Sequence, residues 1–196
     1  MTFSRSLDRG VGMYVAALEP VYREVALRYS RAHHTEKNWM PFVHEEKLYI
    51  SRNVCPHSVL HCDAESGVCR LAYETRLEGC LKSLRGGSQF IRVDNSLIGI
   101  AHTTRIPISR AELSARNMTH YCPVYKHYVV RADSTPPFAL RRISSPFLLP
   151  AMFQTDADVI QFISGLAFDG QYAVLTYGLG DCAALQLTVP IDVLTL

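Results

Sequence analysis

The chain has 196 residues with a net charge of +2, 48% hydrophobic and 19% charged residues, an ordinary globular balance that suffices for one domain or two small ones. The basic residues are scattered without a polybasic run, which argues against a nucleic-acid partner or an anionic membrane surface. No apolar stretch approaches the roughly 20 residues of a membrane span, and the first 19 residues lack a secretory pattern. The expected compartment is therefore cytoplasmic by default, or a Golgi or secretory lumen if a longer parent protein is anchored.

Residues 1–10 read as frayed. Two apolar runs broken at Pro20 predict strands Met13–Leu18 and Val21–Tyr29; a helix from Val21 to Arg31 is the rival, because Val21, Val25, Ala26 and Tyr29 share a helical face. After the polar connection 33–38 come four predicted strands, at 39–43, 47–52, 57–62 and 68–74. A connector at 75–84 leads to a second set at 88–93, 97–102, 124–132 and 138–143, interrupted by an insertion at 103–123. Within the insertion, Ser109 to Asn117 reads as a short helix capped by Ser109, with Glu112 in capping-box position. A connector at 144–158 precedes a third set at 159–168, 171–177, 182–188 and 192–195.

Three segments open these sets in the same way. Residues 39–52, 88–102 and 164–177 are each an apolar run, a tight polar turn and a second, alternating run, which is a hairpin signature. Three copies constitute an internal repeat and point to a propeller. The expected fold is all-β: a partial, N-terminally truncated five-bladed β-propeller of four-stranded antiparallel blades. Residues 1–35 would be a frayed N-terminus or the remnant of an earlier blade, and the blades would span about 36–84, 85–145 and 146–196. Ordinary rings need about 4–8 blades, so missing blades or a partner chain would be needed to close this one.

In a propeller, equivalent strand ends meet around one axis, so Arg52, His102 and Tyr177 are expected to converge. Lys37 and Asn38 precede an inner strand and point to the same pocket; a solvated loop is the alternative. Arg85, Gly86 and Gly87 make an anion cradle or a plain interblade turn. Asp181, in Gly178-Leu179-Gly180-Asp181, is suited to bind sugar hydroxyls or move a proton, or else caps its own turn. Asp181 and His102 are the catalytic candidates. His57 is a lesser site candidate on a third strand; His61, beside it, reads as structural, and His127 lies on another third strand. The pocket combines Lys, Arg and His cations with one carboxylate, which suits a sugar with a phosphate. There is no CxxC pair, so no zinc site is expected, and no other metal or cofactor is called for. Cys62 and Cys69 bracket a turn, as a hairpin disulfide or as two buried thiols; a disulfide would mean an oxidising compartment. Asn117-Met118-Thr119 fits a glycosylation acceptor pattern.

Several ordered pieces carry a resemblance: Glu36-Lys37-Asn38, Pro41-Phe42, Leu48-Tyr49-Ile50-Ser51-Arg52, Arg85-Gly86-Gly87, Leu97 through His102, Leu140 through Pro146, Phe162 through Leu166, and Thr176 through Asp181. Over residues 36–196 the series resembles the last three blades of the five-bladed mannoside phosphorylases and the related β-mannosyltransferases, with the insertion closer to a glycosyltransferase-like branch. The resemblance implies phosphate or sugar-phosphate contacts at Lys37, Arg52 and His102, and sugar contacts at Asn38 and Asp181. The family's early catalytic aspartate and its neighbouring arginine motif have no counterpart here, and Thr103 stands where phosphorylases usually place Gly. These departures weigh against phosphorolysis and leave sugar transfer or sugar binding. The expected activity is that of a glycosyltransferase or glycoside phosphorylase on a mannoside-type sugar; a non-catalytic glycan-binding propeller and an interaction scaffold are the rivals.

Overall fold

A computed structural model describes residues 1–7, 10–33, 35–105, 110–115, 123–150 and 160–194. Four sheets follow one another along the chain in a propeller-like arrangement. The first contains β1 (Thr2–Leu7), β2 (Gly10–Ala17) and β3 (Arg23–Ala26). The second contains β4 (Arg28–Tyr29), β5 (Met40–His44), β6 (Lys47–Asn53), β7 (His57–Cys62) and β8 (Val68–Thr75). Its order is β4-β8-β7-β6-β5, with β4 joined in parallel to β8 and the other pairs antiparallel.

The third sheet holds β9 (Arg85–Gly86), β10 (Ile91–Val93), β11 (Ser96–Arg105), β12 (Val124–Asp133) and β13 (Leu140–Ile143). A one-and-a-half-turn helix, α1 (Arg110–Ala115), lies in the insertion between β11 and β12; the predicted cap Ser109 and the triplet 117–119 lie outside the described residues. The fourth sheet is β14 (Gln161–Asp169), β15 (Tyr172–Leu179) and β16 (Ala183–Pro190).

The repeated hairpins form as their turns dictate. Glu45 and Glu46 both take left-handed backbone (φ 48° and 60°), the geometry of a two-residue turn whose twist matches its strands. The hairpins β10–β11 and β14–β15 turn through Asp94 and Gly170 in the same region.

Three expectations are corrected. The chain has four blades where three, preceded by a frayed segment or a remnant, were expected: residues 2–26 pair into a sheet of their own, with Thr2 to Leu7 in register against Val15 to Gly10. The blades hold three to five strands, not a uniform four. The fourth strand expected at 192–195 is replaced by a 3-10 helix, Ile191–Val193, after Pro190; proline removes a ladder donor and ends β16.

Apolar faces pack between neighbouring sheets. Met13, Trp39, Ile50 and Leu60 fill the space between sheets one and two. Phe42, Phe90, Tyr128 and Phe138 belong to the cluster between sheets two and three. Ile98, Ile100, Val129, Ile163 and Leu175 do the same between sheets three and four. Phe138, fully buried, meets Phe42 and Tyr49 at ring-centroid distances of 5.0 and 5.1 Å. Polar links cross the same seams: the Phe90 N–H donates to the Pro41 carbonyl at 3.0 Å, and the Gln89 side-chain amide donates to the Leu166 carbonyl at 2.5 Å.

Cys62–Cys69 is a disulfide across the β7–β8 hairpin. A second disulfide, Cys55–Cys80, was not anticipated; it ties the turn between β6 and β7 to the connector that leads into β9. Its partners are 25 residues apart, so no local turn signalled the pair.

Candidate functional site

A cleft of about 840 Å³ opens where the four sheets converge, lined among others by Ser4, Asn38, Trp39, Phe90, Phe162 and Ser164. Its described lining contains apolar rings, amides and hydroxyls, and no charged side chain. It draws mainly on the first strand of each hairpin or on the residues just before it, with Met13 and Val15 of β2 and Leu48 of β6 added from second strands.

Beside the cleft lies a cationic cluster built on sheet three. Strand β9 pairs with β11 so that Arg85 stands opposite His102, and Gly86 opposite Ala101. His102 is buried among rings. It stacks on Tyr125 at 5.4 Å and meets the edge of Phe162 at 5.2 Å. Phe162 also lines the cleft, so the cluster and the cleft adjoin. Burial, the neighbouring His127 and the Arg85 charge lower the His102 pKa to about 4; the Lys37 charge adds to this, and the Gly86 carbonyl opposes it. Burial raises the Tyr125 phenol, and the Asp181 carboxylate raises it further against Arg85. Lys37, Arg85 and Asp181 are themselves exposed. Arg85, opposite His102 on the paired strand, thus acts on both rings, Lys37 on the imidazole and Asp181 on the phenol.

His102 is therefore neutral at neutral pH, which corrects its expected place among the cations. The positive charge is carried by Arg85 and Lys37. No partner reaches the buried His102 Nδ1 among the described residues.

Arg52 and Tyr177 are not brought to this cluster. Among the described residues no hydrogen bond, ion pair or ring contact joins any two of Arg52, His102 and Tyr177. Arg52 forms a two-point ion pair with Glu36 and lies 5.2 Å above the Tyr29 ring. It ends at the β6 irregularity between Ser51 and Asn53, which turns it toward the first blade's connection. Tyr177 is 5% exposed within the core between sheets three and four. Equivalent strand ends here point to different seams, so the expected convergence does not occur.

The glycines have a packing role. A Cβ on Gly86 would collide with the Asn38 carbonyl, and one on Gly87 would lie 2.8 Å from the Ile100 oxygen and 2.9 Å from the Ile163 oxygen. Both positions are closed by neighbouring backbone, so glycine is required where blades touch. Asn38 and Gly87 line the cleft.

His57 and His127 are buried within the seams. His57 Nε2 is 3.0 Å from Ser51 Oγ, and His127 Nε2 is 3.1 Å from the Gln161 carbonyl. Sequence reasoning missed Tyr125, Phe162, Glu36 and Trp39 as contributors. Tyr125 had one readable signal: it lies two residues before His127 on a strand, hence on the same face, diagonal to His102. Among the described residues no cluster of three or more His, Cys, Asp or Glu side chains is placed to hold a metal ion, and no helix is long and apolar enough to cross a membrane.

No family model matches the sequence, and no curated protein does. Solved structures match by shape. A glycoside hydrolase-like protein from Bacteroides ovatus superposes with a TM-score of 0.67 at 14% identity, over 100% of this chain and 65% of that one. The β-1,2-mannobiose phosphorylase of Listeria innocua, in complex with β-1,2-mannobiose, superposes with a TM-score of 0.65 at 14% identity, over 99% of this chain and 55% of that one. The likeness establishes the propeller-like fold. The chain spans between about half and two-thirds of the length of these relatives.

Proposed function

We propose that the chain is a carbohydrate-active propeller that binds a mannoside-type sugar together with a phosphate or sugar phosphate, as a glycoside phosphorylase or glycosyltransferase does. One observation carries the reading: two cations, Arg85 and Lys37, and one carboxylate, Asp181, act on His102 and Tyr125 at the edge of an uncharged cleft. Amides and hydroxyls on apolar walls suit sugar hydroxyls and the apolar faces of a pyranose. The cations suit a phosphate, Arg85 by a two-point contact and Lys37 as a point charge.

In this reading the sugar lies against Asn38 and Phe162. For phosphorolysis, an oxygen of hydrogen phosphate bonds to the anomeric carbon as the glycosidic C–O bond breaks, and the phosphate's proton passes to the departing oxygen by way of the Asp181 carboxylate, which takes it up and gives it on. Transfer to an acceptor is the same exchange in reverse. The fold relatives support the substrate class; the second of them is a phosphorylase bound to a mannobiose.

The lack of a carboxylate in the described cleft lining favours a second reading, glycan binding without turnover. The two are separated by incubating the protein with β-1,2-mannobiose and phosphate, and in the other direction with mannose 1-phosphate and mannose, while titrating each sugar by calorimetry. Turnover that is lost in Asp181→Asn supports catalysis. Binding without turnover supports the second reading. Absence of both overturns the carbohydrate assignment.

A further inference from the structure

Residues 36–39 form a closed clamp. Glu36 Oε2 accepts the Trp39 indole N–H at 2.9 Å, across the two residues between them. The same carboxylate accepts the His33 backbone N–H at 2.7 Å and both faces of the Arg52 fork. Burial pushes the Glu36 carboxyl up, but Arg52, the His33 amide and the Trp39 indole together hold it below the usual range. Its backbone N–H donates to the Val11 carbonyl at 2.8 Å, which pins the clamp to the first sheet. Trp39 is 4% exposed in the core between sheets one and two.

The two residues inside the clamp are Lys37 and Asn38. Asn38 takes left-handed backbone at φ 63°, a conformation that costs a non-glycine residue about 1 kcal/mol and persists only where its surroundings impose it. The Asn38 carbonyl abuts Gly86, next to Arg85. The Lys37 charge, like that of Arg85, acts on His102. Its side chain is exposed; what the clamp fixes is the backbone from which it extends.

We infer that Glu36 and Trp39 are the positioning residues of the anion site: the carboxylate–indole bond fixes the backbone of the Lys37–Asn38 finger against Gly86, and so roots Lys37 next to the segment that carries Arg85 before any ligand arrives. The inference rests on the anion-binding reading above. It also gives Arg52 a different task from the ligand contact expected of it: its fork neutralises and orients Glu36. With the backbone already in place, only the lysine side chain is left to order when an anion binds, which lowers the cost of binding.

A double-mutant cycle tests this with inorganic phosphate as the probe. Its members are the unmodified protein, Lys37→Ala, Trp39→Phe and the double variant, each titrated by calorimetry and checked for folding by thermal melting. Trp39→Phe keeps an aromatic ring in the core and removes the indole N–H together with part of the buried ring, whose cost to stability the melting curve reads separately. It should weaken phosphate binding about fivefold, the scale of one net hydrogen bond of about 1 kcal/mol, and should have no further effect once Lys37 is gone. If Trp39→Phe does not fold, Glu36→Gln takes its place in the same cycle, with the same expected coupling. An equal loss in both Lys37 backgrounds, or no loss in either, overturns the inference while leaving the anion site standing. No phosphate binding by the unmodified protein, or undiminished binding by Lys37→Ala, overturns the anion site itself and the inference with it.

Discussion

Acidification between pH 7.5 and pH 5 should destabilise this protein sharply, because three buried histidines are held neutral. Burial lowers His57, His102 and His127 to about pH 4 each, against the partial opposition of the Phe138, Gly86, and Gln161 and Phe147 carbonyls respectively. In the unfolded chain each titrates near 6.5. Between these values the unfolded state binds more protons, so stability is fully present above about pH 6.5, falls as the pH drops toward 4, and is flat with respect to these groups below that. At pH 5 linkage gives a loss of about 2 kcal/mol per histidine, or about 6 kcal/mol for three, against a total stability of about 5–15 kcal/mol for a typical domain. His102 and His127 are cross-strand neighbours, so protonating one further resists protonating the other. Charges that face the three rings are few: Arg85 and Lys37 act on His102, and Ser51, the backbone carbonyls and the Phe90 and Phe147 rings supply the rest. Glu36, with its lowered pKa, stays ionised across the window and does not contribute. The assay is urea unfolding followed by circular dichroism at pH 7.5 and 5.0. His127→Gln, whose amide N–H can replace Nε2–H toward the Gln161 carbonyl, should reduce the acid penalty by about a third. An unfolding free energy at pH 5 within about 1 kcal/mol of that at pH 7.5 would refute the reasoning.

Disulfide loss should follow loop length. Replacing Cys55 and Cys80 with Ala opens a closure of 25 residues and should cost about 3.5 kcal/mol, against about 2.5 kcal/mol for the 7-residue closure of Cys62 and Cys69, as read from urea midpoints of the two double variants. Gly87→Ala should cost about 3 kcal/mol or abolish folding, since the added carbon is confined between two backbone carbonyls that cannot rotate away; Gly79→Ala, with open space around it but φ 72°, should cost only about 1 kcal/mol. Thermal melting of the pair distinguishes crowding from backbone strain. Arg141→Ala removes a two-point contact to Asp133 at 2.7–3.0 Å, but the arginine side chain is 65% exposed, so the change should stay below about 1 kcal/mol in the same melts.

What could be read in the sequence was local. The turn residues Glu45-Glu46 and Asp94-Asn95 and the alternation flanking them fixed hairpins β5–β6 and β10–β11, and Cys62 and Cys69 had the spacing of opposed hairpin positions. The blade at the N-terminus was obscured because β1 and β2 are joined through Leu7 to Gly10 without a strong turn motif, and the middle of β1, Ser4-Arg5-Ser6, is exposed on both faces and lacks apolar alternation. The 3-10 turn at 191–193 replaced a strand because Pro190 ends the ladder, a signal that was present but read as a strand boundary.

The site was harder to read because polarity at a strand end does not say which seam the side chain enters. Arg52, His102 and Tyr177 are at comparable places in their hairpins, yet the β6 irregularity turns Arg52 to Glu36, and the close approach of sheets three and four encloses Tyr177. Those outcomes depend on the twist and bulges of neighbouring sheets, which a single strand's pattern does not contain. Burial then changes chemistry as well as position. Placed among Tyr125, Phe162 and the β11–β12 pair, His102 loses its charge, and the anion-binding task passes to Arg85 and Lys37, which remain at the surface. The glycine pair between them is needed so that β9 can lie against Asn38 and Ile163. The same close packing that demands Gly86 and Gly87 is therefore what brings the two cations to the edge of the cleft.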